Sequence, residues 1–172
     1  MLGGVLMDPL LKNIIRVGRV TKYHPDPTKH LARVLFEDKT ATESFWLPII
    51  LKNTLQNKDY WMPDKGELVV CLFMPSGNAQ GFILGSIYQD VDKPSVSSDD
   101  RRNVRYVGFG DGTFIEYNRE THTLTIDAQG PINIVATGNI NVIGDVIAGG
   151  ISLENHTHTA PNGVTSPPDG GG

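Results

Sequence analysis

Residues 123–142 are TLTIDAQGPINIVATGNINV, and this stretch decides the fold class. Apolar and polar side chains alternate for a few residues, and then Gly, Pro or Asn interrupts the alternation before it resumes. Alternation with a period of two predicts β-strands that present one apolar face. Since strand plus turn recur at roughly eight to ten residues, the pattern indicates a solenoid-like winding of very short strands. We assign this winding to residues 104–153.

A single copy of this winding lacks the material for a core. Each strand offers only a few apolar side chains, and no aromatic residue follows Tyr117. These side chains cannot offset an ordering entropy of about 1–2 kcal/mol per residue. Other chains must therefore cover the apolar face. Three copies wound around a threefold axis would bury it and pair the strand edges between subunits. Small residues near the end of the winding would let it taper to a needle.

The preceding half of the chain predicts a small barrel. Turn-forming Pro, Asp and Gly residues separate five strand candidates at 14–23, 31–37, 44–50, 67–74 and 81–88. Five short strands favour the OB fold. The predicted class is thus all-β, an OB-fold barrel followed by an intertwined, trimeric, triple-stranded β-helix with a metal-bound tip. Its divisions are an N-terminal extension (1–13), the OB domain (14–88), a linker (89–103), the β-helix spike (104–153), and the apex and tail (154–172).

Composition excludes several function classes. Charged residues make up 20% of the 172 residues and the net charge is −4, so nothing favours nucleic acid or an anionic membrane as a partner. Cys71 is the single cysteine and lies in an apolar run, so we expect a small buried side chain and no intrachain disulfide. This fits folding in a reducing cytoplasm. We expect neither a signal peptide nor a membrane span.

His156 and His158 are the candidate metal ligands. In an extended chain, residues two apart face the same side, about 6.6–7 Å from each other. Pointing both inward requires a kink near Asn155. One chain supplies two imidazoles, whereas three chains on an axis supply six in an octahedral arrangement. This disfavours zinc and suits Fe(II), Ni(II) or Co(II), without choosing between them. His-x-His alone is a weak pattern, but here it stands where the needle should end.

The other histidines are not candidate ligands. His24 and His30 flank a Pro-Asp-Pro turn, and we expect both to be solvated. His122 is expected in a turn that connects two strands.

Several motifs together resemble a known family, the phage baseplate assembly protein V family of contractile-tail spikes. The resemblance covers nearly the whole chain from residue 14 onward. The motifs are RVGRV (16–20), FWLP (45–48), PDKGE (63–67), GFILGSIY (81–88), DGTFIEYN (111–118) and HTLTI (122–126). The resemblance implies a homotrimer whose OB domains form a collar beneath the tail hub, and whose β-helix is a membrane-piercing needle. It also implies one Fe(II) ion per trimer at the tip, bound by His156 and His158 of each chain. The tail after His158 could cap this ion or remain loose.

The same resemblance implies a mechanical role without enzymatic activity. The chain would be the baseplate spike of a contractile phage tail or tail-like particle, assembled in the host bacterial cytoplasm. Its partners would be hub and baseplate proteins, with no nucleic acid, and its target the bacterial outer membrane.

Two other functions compete with this interpretation. An OB domain can bind single-stranded nucleic acid through a basic groove with aromatic side chains. Here the basic residues are scattered, and Trp46 and Trp61 are expected near turns or edges. A metal hydrolase or a lysozyme-like spike component is the second alternative. Hydrolytic metals need an open coordination position, which six imidazoles do not leave, and the sequence contains no common hydrolase motif.

Overall fold

The computed structural model describes residues 13–38, 41–75, 80–96 and 99–168. Its regular structure there is almost entirely β, as the sequence predicts, with a short 3-10 helix at Asp99–Asn103. The chain divides into two compact units, residues 1–102 (unit 1) and residues 103–172 (unit 2). Among the described residues, no helix is long and apolar enough to cross a membrane.

Unit 1 is a closed barrel of short strands. The strands are β1 Ile15–Tyr23, β2 Leu31–Phe36, β3 Thr42–Glu43, β4 Leu47–Pro48, β5 Leu68–Phe73 and β6 Gly81–Ser86. Antiparallel pairing gives the order β3-β2-β1-β5-β6, and β4 also pairs with β2. A parallel bridge joins Ile49, just after β4, to Ile83 of β6, and the Ile50 amide donates to the Ile83 carbonyl at 2.9 Å. This bridge closes the sheet with the strand order of an OB fold.

The predicted third strand, 44–50, is wrong as a single element. Two short strands, β3 and β4, replace it, and both pair with β2. The break occurs at the buried Ser44, whose amide still donates to the Val34 carbonyl at 2.8 Å. The Val34 amide donates to the Ser44 hydroxyl at 2.9 Å, where a continuous ladder would use a backbone carbonyl. The hydroxyl therefore interrupts the strand.

Alternating side chains from all the longer strands form the barrel core. Cys71 is fully buried within it, as predicted, and burial raises the pKa of its thiol to about 12. The Phe36 and Phe73 rings meet edge to face at 5.7 Å. The buried apolar residues are Val20, Ala32, Val34, Phe36, Leu47, Val69, Cys71 and Ile83.

Unit 2 contains a three-stranded meander and two small hairpins. The meander is β7 Val104–Gly108, β8 Phe114–Asn118 and β9 Thr123–Asp127, all antiparallel. The hairpins are β10 Ile147–Ala148 with β11 Ile151–Ser152, and β12 Thr159–Ala160 with β13 Gly163–Val164. β9 confirms the strand predicted at the start of the winding, and all five of its residues are exposed.

The strands expected around Ile132 and Ile140 are absent from the single chain. Residues 128–146 contain no strand. An alternating pattern gives a strand one apolar face but does not provide a neighbouring strand, and no described strand of the chain pairs with this segment. The triple-stranded β-helix therefore stays a prediction.

Unit 2 has no buried core among its described residues. The strand register places five apolar side chains on one face of the meander, all of them exposed. We call this set the apolar face of unit 2: Val107, Ile115, Tyr117, Leu124 and Ile126.

Candidate metal-binding apex

A turn positions the first candidate ligand, His156. The β10–β11 hairpin turns at Gly149 and Gly150, both with positive φ, and the chain turns again over residues 153–155. This second turn is the kink that the sequence required near Asn155. The Asn155 amide donates to the Ser152 hydroxyl at 2.8 Å, and the His156 amide donates to the Ser152 carbonyl at 3.2 Å.

Backbone carbonyls orient the His156 ring. Its Nδ1 lies 3.0 Å from the carbonyl oxygen of Ser152 and 3.0 Å from that of Leu153. A carbonyl oxygen only accepts hydrogen bonds, so Nδ1 carries a proton, and in the neutral ring Nε2 then keeps its lone pair. Metal-binding histidines commonly donate their other ring N–H to a carbonyl in this way. His156 could therefore bind a metal ion through Nε2.

The second candidate ligand, His158, is held by the tail. Its amide donates to the Thr165 hydroxyl at 2.9 Å, and its carbonyl accepts from the Thr165 amide at 2.9 Å. The β12–β13 hairpin lies between these two residues, so the chain returns to His158 at Thr165. The His156 and His158 ring centroids are 5.0 Å apart with planes at 89°.

This donor pair fits a metal shared between chains. Among the described residues of one chain, no group of three or more His, Cys, Asp or Glu side chains could hold an ion. Two adjacent imidazoles, one with its tautomer fixed by carbonyls, are an incomplete set that copies of the same pair can complete. Neutral imidazole nitrogen suits the transition metals expected from the sequence.

The sequence pattern does not reveal the residues that support the two histidines. Ser152 and Thr165 have no pattern that distinguishes them from other hydroxyl residues, and nothing in the sequence pairs Asp145 with Ser152 or Glu154. The Ser152 hydroxyl and the Glu154 amide both bond to the Asp145 carboxylate, and they lower its pKa in that order of importance. Hydrogen-bonded partners that are seven or nine positions apart produce no recognisable pattern in the sequence, so only the folded structure shows that they are partners.

The remaining histidines lie elsewhere. His122 occupies the β8–β9 turn with a φ of 55°, as predicted. His24 and His30 are half-buried, so the expectation that both are solvated is wrong. His24 packs edge to face on Trp46 at 4.9 Å, while Tyr60 lies 5.1 Å from His30 and helps to shield its ring nitrogens.

The barrel surface does not favour nucleic acid. One of its clefts, of about 710 Å³, combines the aromatic rings of Trp61 and Tyr88 with three carboxylates, from Asp64, Glu67 and Asp92, which outnumber the cationic side chain of Lys65. Phosphates would be repelled there. The basic residues of β1 and β2 lie within ion-pairing distance of acidic partners: Arg16 with Asp38, Arg19 with Glu37, and Lys22 and Arg33 with Glu43.

Comparison with known proteins identifies the barrel. Residues 16–88 match the model of the type VI secretion system/phage-baseplate injector OB domain family. The barrel is therefore similar to the OB domain of such injectors. A stretch of 103 residues, 59% of the chain, is 30% identical to the "Spike protein" of Escherichia phage P2. That similarity is longer than the injector OB domain and confirms the resemblance to contractile-tail spikes. The chain spans about half the length of this relative, since the match covers 47% of it.

Proposed function

We propose that this chain is the central spike of a contractile phage tail or phage-tail-like particle. It acts as a homotrimer that pierces the bacterial outer membrane mechanically when the sheath contracts. The observation that carries the proposal is that unit 2 exposes its apolar side chains, with no buried core in its described part. Similarity to a phage spike protein and the injector OB domain support the same role.

The exposed apolar residues of unit 2 would be buried by contact with other copies of the chain. On the apolar face, Val107 is 42% exposed, Ile115 41% and Leu124 62%. Contiguous apolar surface of this kind usually marks an interface. Beyond β9, Ile132, Ile140 and other aliphatic residues lie exposed in the strand-free segment 128–146. Three copies wound together would bury both groups and give that segment the neighbours it needs for strand pairing.

The metal site completes the trimer at its tip. His156 and His158 of three chains would provide six imidazoles for one iron ion, or for another octahedral divalent metal. Such an ion supplies coordination bonds that tie the three chain ends together. Within each chain, the Ser152 and Leu153 carbonyls hold the His156 ring so that Nε2 is free to bind. With six protein ligands, no coordination position remains for hydrolysis, so the role is mechanical.

The injector OB domain would place the spike in the baseplate, in contact with hub and other baseplate proteins. Immunogold electron microscopy of contractile particles from a producing bacterium tests this location. Antibodies against the chain should label the distal end of the baseplate before contraction. Label along the sheath, or none on intact particles, would contradict the spike role.

The nucleic-acid alternative is tested separately. A fluorescent oligothymidylate should show no change in anisotropy with the purified chain at about 50 mM salt, where phosphate contacts bind strongly. Saturable binding that weakens with added salt would favour the alternative.

A further inference from the structure

Different hydrogen bonds hold the two histidines of the apex. The carbonyls of Ser152 and Leu153 orient the His156 ring from the N-terminal side. His158 is held through its main chain, and both of its bonds go to Thr165. Each histidine can therefore lose its support without the other.

Thr165 continues the tail hairpin by one residue pair. Thr159 pairs with Val164 and Ala160 with Gly163, so His158 and Thr165 stand opposite each other at the next position. The Thr165 amide makes the expected bond to the His158 carbonyl. The return bond, however, goes from the His158 amide to the Thr165 side chain instead of its backbone. The hydroxyl is thus a specific element of the contact.

We propose that Thr165 is a positioning residue for His158, and that residues 159–165 form a clasp required for His158 to bind the metal. The inference rests on the metal apex proposed above. Bonds at both the amide and the carbonyl restrict the backbone on either side of the imidazole. Without the clasp, His158 must be ordered when the metal binds, which weakens its contribution. His156 keeps its carbonyl support in that case.

The test compares cobalt release from the full-length chain and its variants. The apo chain is loaded with Co(II), and transfer of the ion to excess EDTA is followed at neutral pH. Removing a residue that orients a metal ligand commonly costs about 10–100-fold in affinity. We therefore expect Thr165→Val to release Co(II) at least about tenfold faster than the unmodified chain. Thr165→Ser keeps the hydroxyl and should restore slow release.

Thr157→Val is the matched control. Thr157 lies between the histidines and is exposed, so this variant removes a hydroxyl equally close to the site but outside the clasp. It should release Co(II) at the unmodified rate. X-ray absorption of the loaded proteins adds a readout that a general loss of stability does not produce. The average nitrogen coordination number of cobalt should fall in Thr165→Val alone, at unchanged oligomeric state.

The outcomes separate the clasp from the metal apex. If the unmodified chain retains Co(II) and Thr165→Val releases it at the same rate, the clasp is wrong and the apex stands. Equal acceleration by Thr165→Val and Thr157→Val also overturns the clasp, because a general polar effect then explains both. Failure of the unmodified chain to bind Co(II) would overturn the apex and the clasp together.

Discussion

At the scale of single residues, Asp145 organises the turn that carries His156. Its carboxylate accepts from the Ser152 hydroxyl and from the Glu154 amide, the latter at 3.2 Å. Ser152 in turn accepts from Asn155 and, through its carbonyl, from the His156 amide. One carboxylate therefore connects the β10–β11 hairpin to the backbone of the first ligand.

This network predicts how Asp145 titrates. The hydrogen bonds favour its charged form and lower its pKa, the Ser152 hydroxyl most of all. The stabilisation is therefore present above the ordinary aspartate pKa of about 3.9 and is lost as pH falls through the lowered value. Carbon-detected NMR should give a titration midpoint below about 3.9 for Asp145. Ser152→Ala should move the midpoint up, and an unmoved midpoint would show that Ser152 is not the main cause.

Cys71 gives a second prediction at this scale. Burial raises the pKa of its thiol to about 12, so the reactive thiolate is scarce at neutral pH. Ellman's reagent should react very slowly with the folded chain at pH 8 and rapidly in 6 M guanidinium (roughly the strength that unfolds hyperstable domains). Rapid reaction of the folded chain would mean that the barrel opens around β5.

At the scale of strands, Gly18 sets the distance between β1 and β2. A Cβ at this position would lie 2.5 Å from the Leu35 carbonyl oxygen and 2.8 Å from the Phe36 ring. Backbone cannot yield as a flexible side chain can, so we expect Gly18→Ala to destabilise the barrel by about 1–3 kcal/mol. Urea unfolding followed by tryptophan fluorescence measures this. Gly110→Ala is the control, since a Cβ there meets nothing within 4 Å, and equal effects would contradict the packing argument.

The barrel was predictable because local signals agree with the fold. The alternation around Val34 and Val69 predicted the bounds of β2 and β5 to within about a residue or two. Residues 63–67 form a turn, in which the Asp64 amide donates to the Glu67 carboxylate. The break at Ser44 was not predictable, because a side-chain hydroxyl replaces a backbone group there. Both candidate ligands were found from their spacing. Their supports at Ser152 and Thr165 were not, since these depend on how the turns fold.

At the scale of the whole molecule, the apolar face of unit 2 should hold the trimer together. Ile126 lies on this face at 51% exposure in one chain, and its neighbour Thr125 points to the opposite side of β9. A charge buried in an interface is costly unless it is paired. Ile126→Asp should therefore dissociate the trimer at micromolar concentration, whereas Thr125→Asp should leave it intact. Light scattering after size exclusion distinguishes these outcomes, and a trimeric Ile126→Asp would place the interface elsewhere.

Native mass spectrometry of the purified chain tests whether it forms a trimer that holds a metal ion. We expect a mass three times 18.8 kDa plus a single metal ion. The double variant His156→Ala/His158→Ala should remain trimeric and lose that ion. A metal-free monomer from the unmodified chain would contradict both the trimeric spike and its metal-bound tip.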